Sequence, residues 1–149
     1  MDEIQVDVSV AEGVHPAAEP ARIEAAVRHV LRAEGVAEAE ISVALLDEDA
    51  IRQMNREWLD HDYVTDVISF HLNEEGEPPL GDVYLGVAQA ARQAAELGAD
   101  PAEELLRLAV HGTLHVLGWE HPEGADRAGS DMFVRQEALL REFLARGAG

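Results

Sequence analysis

The stretch DPAEELLRLAVHGTLHVLGWEH, residues 100–121, reads as one buried helix that ends in a cluster of imidazoles. Asp100 stands at the N-cap position and Pro101 at the first helical position, where its missing N–H costs nothing. Glu103 and Glu104 suit the positive end of the helix dipole. Leu105, Leu106, Ala109, Val110, Leu114 and Leu117 cover so much of the circumference that the helix is expected to be largely buried. Gly118 is the expected stop.

His111 and His115 are four residues apart and so share one helix face near its C-terminal end. Gly118 lets the backbone turn, and His121, three residues further on, can return to the same point. With 7 histidines in 149 residues, chance would fill the two further positions from a given start about once in 400 trials. Three converging imidazoles with a fourth position open are the ligand set of a catalytic zinc site, where bound water ionises near neutral pH. The spacing is that of the long zinc-protease signature H-E-x-x-H-x-x-G-x-x-H. Gly112 stands where such a protease carries its general base, however, so the ligand frame is expected without the usual peptidase chemistry. Glu120, beside His121, is open to three readings: the missing base, a partner that orients a ligand, or surface charge.

Outward from this stretch the chain alternates strand-like and helix-like segments. Residues 4–11 (IQVDVSVA) and 39–47 (AEISVALLD) alternate apolar and polar side chains as half-buried strands do. Residues 20–35 open with proline, repeat apolar side chains at Ile23, Val27, Val30 and Leu31, and stop at Gly35, as a helix does. A second helix follows in residues 47–59, with Asp47 or Asp49 as N-cap. TDVISFHL (65–72) and LGDVYLGV (80–87) read as strands, and the NEEGEPP loop between them suggests a hairpin. Residues 88–98 and 131–147 read as further helices, with HPEGADRAGS as a loop before the last. The expectation is an α+β fold in which residues 1–149 form a single domain. It has about four strands in a mixed sheet and about five helices, with the metal site at a helix C-terminus and the following loop.

Composition limits the function classes. Apolar residues make up 47%, which excludes disorder for the bulk of the chain, and no apolar run is long enough to span a membrane. The opening MDEIQVDVSV lacks a basic start and an apolar stretch, so no secretory signal is expected, and with no cysteine in the chain an intracellular location is the default. The absence of cysteine leaves His, Asp and Glu as the strong metal ligands. The net charge is −19, and all 11 basic residues are arginine. Such a surface repels polyanions at long range. It suits a salty cytoplasm, where ions screen the repulsion, or it is simply a solvated face; the composition leaves both open.

HGTLHVLGWEH (111–121) closely resembles the H-G-x-L-H-L-x-G-Y-D-H signature of the YbeY family of metal-dependent endoribonucleases. YVTDVISFHL (63–72) is similar to that family's P-T-D-V-L-S-F segment, LGDVYLG (80–86) to its L-G-D-I-x-I-S strand, and MNREWL (54–59) to its L-N stretch. Met132 falls where the family often has methionine, and the likeness runs from about residue 40 to residue 145. The resemblance implies an α+β fold and one zinc ion held by His111, His115 and His121. It also implies cleavage of single-stranded precursor RNA in maturing the 16S rRNA 3′ end, ribosome quality control at the small subunit, and a cytoplasmic location. DNA and membranes are not among the expected partners.

Trp119 and Glu120 replace the family's Tyr-Asp pair, and Val64 replaces its proline. Leu59 stands where many members carry an arginine of the catalytic cleft. Either another cation stabilises the phosphoryl charge or the activity differs. Arg56 and His61 lie closest and are the expected substrate contacts, with Arg52 and Arg107 as further candidate cations. Two other readings remain at this point: a metal hydrolase of another substrate class, peptidases included, and a non-enzymatic ribosome-associated factor with a structural metal.

Overall fold

The computed structural model describes residues 3–59, 66–119 and 131–147. Four strands form one mixed sheet: β1 (Glu3–Val10), β2 (Glu38–Leu46), β3 (Val67–His71) and β4 (Leu80–Gly86). Five helices accompany it: α1 (Pro20–Ala33), α2 (Glu48–Leu59), α3 (Val87–Leu97), α4 (Pro101–Val116) and α5 (Asp131–Gly147). The α+β expectation and the number of strands and helices agree with this architecture, and boundaries differ from the sequence reading by one or two residues.

The sheet order is β1-β2-β4-β3. β1, β2 and β4 run parallel, and β3 pairs antiparallel with β4 as the outer strand of the expected hairpin, with Val67 opposite Leu85 and His71 opposite Gly81. Alternation along the strands sends Ile4, Val6, Ile41, Val43, Leu45, Val83 and Leu85 to one face, where all are buried. α4 crosses that face, packed against β3, β4, α1, α3 and α5. This central position explains its all-round apolar pattern: Leu105, Leu106 and Leu114 are each at most 1% exposed, and burying each is worth about 1.5–3 kcal/mol. On the opposite face of the hairpin lie Ile68, Phe70 and Tyr84. Trp58 of α2 meets Phe70 edge-on with ring centroids 6.2 Å apart, and Phe70 meets Tyr84 at 6.0 Å.

Asp47, not Asp49, caps α2: its Oδ1 accepts the Ala50 N–H at 2.8 Å. Asp100 occupies the N-cap of α4 but makes no capping hydrogen bond with its side chain. Pro101 needs no acceptor for itself, and the helix starts on the Glu104 N–H to Asp100 C=O bond at 2.9 Å. At the other end, the Gly118 N–H donates to His115 C=O and the Trp119 N–H to Leu114 C=O, both at 3.0 Å. This Schellman closure needs a left-handed residue, and Gly118 supplies it with φ of 98°.

Candidate metal centre

His111 and His115 lie on the last turns of α4, both half-buried. Their Nε2 atoms stand 3.1 Å apart, with ring centroids 4.6 Å apart and planes crossed at 80°. The two Nε2 atoms lie within hydrogen-bond distance, so that without a cation one ring N–H can donate to the other nitrogen. Ligands of a tetrahedral zinc at about 2.0–2.1 Å are separated by roughly 3.4 Å, so the 3.1 Å pair fits a shared cation with a modest opening of the two rings. His121, the third expected ligand, lies outside the described residues, as do Glu120 and His61. Among the described residues no group of three or more potential ligands converges.

The other side of His111 faces α5. Its Nδ1 is 2.6 Å from Oε1 of Gln136, a residue 5% exposed. The Gln136 amide N–H donates to Glu137 Oε2 at 3.0 Å. Arg107 Nε donates to the same carboxylate at 2.9 Å, and its Nη1 donates to Glu104 Oε1 at 2.8 Å. Gln93 Nε2 donates to Glu104 Oε2 at 3.3 Å and to Asp66 Oδ2 at 3.1 Å. A polar chain therefore runs from the first histidine through α5, α4 and α3 to the residue before β3. Burial alone would raise the Glu137 carboxyl, but hydrogen bonds from Arg107 and Gln136 and the charges of Arg107 and Arg141 outweigh it and hold it below its ordinary range. Burial likewise works against the Arg107 charge, and its bonds to Glu137 and Glu104 overcome that and raise its pKa.

This chain bears on two sequence expectations. Arg107 was a candidate cation for RNA, yet its guanidinium is committed to Glu137, Glu104 and Glu103. Glu104 lies in the first turn of α4 as expected, and it is also 4% exposed and bound to Arg107 and Gln93. Arg52 and Arg56 are exposed on α2, and Asn55 beside them is buried at 2% exposure. Spacing within α4 revealed the histidine pair, but nothing local marked Gln136, which lies 25 residues from His111.

Gly112 occupies the position of the peptidase base and does not face the histidine pair's cleft. A Cβ there would stand 2.6 Å from Val83 Cγ1 and 3.3 Å from Val67 Cγ2, so the position is turned into the sheet. Gly81, on the facing strand, is as tight: a Cβ would meet Val116 Cγ1 at 2.5 Å and the Phe70 carbonyl oxygen at 2.7 Å. The two glycines let α4 lie close to the hairpin. A Cβ at position 112 points at valines of the sheet, which adds to the argument that glycine there already made against the usual peptidase chemistry.

The turn after α4 is tied down from both sides. Trp119 Nε1 donates to Glu34 Oε1 at 2.6 Å, and Arg135 Nε donates to Glu34 Oε2 at 2.9 Å. The indole also packs on the cluster of Val30, Val110, Leu114, Met132 and Leu139.

Comparison with known proteins supplies the remaining observation. The pattern described as "Endoribonuclease YbeY" matches residues 11–144. The endoribonuclease YbeY of Moorella thermoacetica is 48% identical over 120 residues, covering 72% of this chain and 76% of that protein. That of Geobacillus thermodenitrificans is 42% identical, covering 81% and 84%, and that of Bacillus licheniformis 36% identical, covering 93% and 94%. The chain belongs to the YbeY endoribonuclease family. Its class is therefore that of hydrolases acting on RNA phosphodiester bonds. A solution structure of a Thermotoga maritima protein shares the fold, with a TM-score of 0.66 at 23% identity, covering 97% of this chain and 91% of that one. The segments that carried the YbeY resemblance are neighbours here: the hairpin of β3 and β4 packs directly on the helix that bears the histidines. Among the described residues, no helix is long and apolar enough to cross a membrane.

Proposed function

We propose that the 149 residues act as one zinc-dependent domain that cuts single-stranded RNA. The observation that carries this reading is the convergence of His111 and His115 Nε2 atoms at 3.1 Å on a chain of this family. His111, His115 and His121 hold the cation. When bound, the cation polarises a phosphoryl oxygen and makes a coordinated water more acidic.

The chain's own groups orient both partners of the reaction. His111 and His115 are held on α4, which packs against β3, β4, α1, α3 and α5. Arg56, exposed near the end of α2, and His61 meet the RNA phosphates and spread their negative charge, the part that Leu59 cannot take. Glu120 is placed by sequence next to His121 to receive a proton. With glycine at position 112, the proton of the attacking hydroxyl, whether of water or of the RNA's own 2′ position, has to pass to another group, and Glu120 is the candidate. With a net charge of −19, binding relies on this local cationic cleft and weakens as salt rises. The substrate is the precursor of 16S rRNA at its 3′ end, met on the small ribosomal subunit in the cytoplasm, with a part in ribosome quality control.

The test is cleavage of a defined single-stranded RNA carrying the 16S 3′ junction, by wild type and His115→Ala purified side by side, with and without zinc. Zinc-dependent cutting by wild type alone is expected. Equal cutting by both proteins, or by neither, overturns the reading.

A further inference from the structure

The polar chain behind His111 does more than join two helices. Gln136 is 5% exposed, and both ends of its amide are engaged. Its orientation is not free. The Glu137 carboxylate can only accept, so the amide N–H₂ must face it and the carbonyl oxygen must face His111. Glu137 is in turn fixed by Arg107, and Arg107 by Glu104. A carbonyl oxygen 2.6 Å from an imidazole nitrogen needs a proton on that nitrogen. Only the tautomer with the proton on Nδ1 meets it while leaving the Nε2 lone pair directed at the point shared with His115.

We propose that Gln136 is the positioning residue of the metal centre: it selects the Nδ1–H tautomer of His111 and holds its ring so that Nε2 faces the cation. The inference deepens the metal-site reading above and rests on it for the cation, although the tautomer itself is a property of the metal-free chain. The device lies across α5, so the closing helix sets the geometry of a ligand on α4. A carbonyl acceptor orients the imidazole without adding charge of its own.

The experiment compares wild type, Gln136→Leu, Gln136→Glu and His115→Ala. Long-range proton–nitrogen NMR of the metal-free proteins reads the His111 tautomer, and competition against a chromophoric chelator reads zinc affinity. Wild type is expected as the Nδ1–H tautomer, with that signature lost in Gln136→Leu. Zinc affinity is expected to fall about 10- to 100-fold in Gln136→Leu, the usual effect of removing an orienting partner. Gln136→Glu keeps an acceptor for Nδ1–H but sets a carboxylate against Glu137. It should therefore lose thermal stability yet keep zinc affinity within a few-fold of wild type, a split that a merely structural brace would not produce. Equal loss of zinc affinity in both Gln136 variants overturns the proposal, as does an Nε2–H tautomer in wild type. Failure of the cation reading is distinguishable: wild type would then bind zinc no better than His115→Ala, while the tautomer measurement still decides the hold of Gln136 on the ring.

Discussion

Gly112 and Val83 are in such close approach that the helix could not carry even a methyl group there without displacement: a Cβ on Gly112 would lie 2.6 Å from Val83 Cγ1. The position that in a zinc peptidase bears the general base is here the contact point between α4 and the sheet. Packing, not chemistry, selects glycine.

Substitution at this contact should therefore cost stability. Gly112→Ala gains about 1 kcal/mol of helix propensity against an overpacking cost of about 1–3 kcal/mol, for a net loss near 1 kcal/mol. Gly112→Glu also buries a charge and should lose more than about 3 kcal/mol. Urea unfolding midpoints measure both. The double variant Gly112→Ala/Val83→Ala should recover part of the loss, and strict additivity would show that the two residues do not compete for space.

Glu34 accepts from two donors on different segments, Trp119 just after α4 and Arg135 in α5. Its side chain is 14% exposed, so its removal leaves the part-buried Trp119 N–H without an acceptor, while Arg135, 31% exposed, keeps water and the Ala33 carbonyl. Glu34→Ala should destabilise by about 1–3 kcal/mol and change the near-ultraviolet signal of Trp119. Glu34→Gln, which keeps one acceptor for the indole, should cost less. An unchanged melting temperature in Glu34→Ala would refute the anchoring role.

Acid should loosen α5 from α4. The folded pKa of Glu137 is lowered, so its contribution to stability is complete above the unfolded carboxylate value of about 4.3 and is lost as pH falls through the folded value. Glu137→Gln should lower stability at neutral pH and flatten the acid limb itself, below the unfolded value of about 4.3 and down through the folded one. A variant whose acid limb runs parallel to that of wild type would remove Glu137 from the account.

Zinc should stabilise the native chain by mass action. At 100 times its dissociation constant, the gain is about 2.7 kcal/mol, or roughly 5–10 °C in Tm for a chain of this size. Chelation should reverse the gain, and His115→Ala should abolish it. A Tm that ignores zinc in wild type would count against the site.

The parts of this protein that were legible in its sequence are those governed by short periods. Alternation placed β1 and β2, proline and glycine bounded α1 and α4, and the spacing of four between His111 and His115 put them on one face. Each of these patterns is satisfied within a turn or a strand, so neighbours in sequence suffice to specify it. Asp47 and Asp49 offered equivalent caps, and the path of the chain from β2 into α2 chose the first. Tertiary structure alone decided which way Gly112 faces, because that depends on where the hairpin lies against α4. It also joined Arg107 to Glu104 and Glu137 in a part-buried network, a pairing between α4 and α5 that no local pattern announces. Gln136 joined the histidine for the same reason: a contact across 25 residues is set by how α5 docks on α4, and a helical period carries no record of its partner. His61, Glu120 and His121 lie outside the described residues and rest on sequence alone. What the sequence determined by itself was the histidine pair on one face of α4 with glycine at position 112; what only the fold decided was how that pair is oriented and what Gly112 packs against, since both are properties of surfaces brought together by packing.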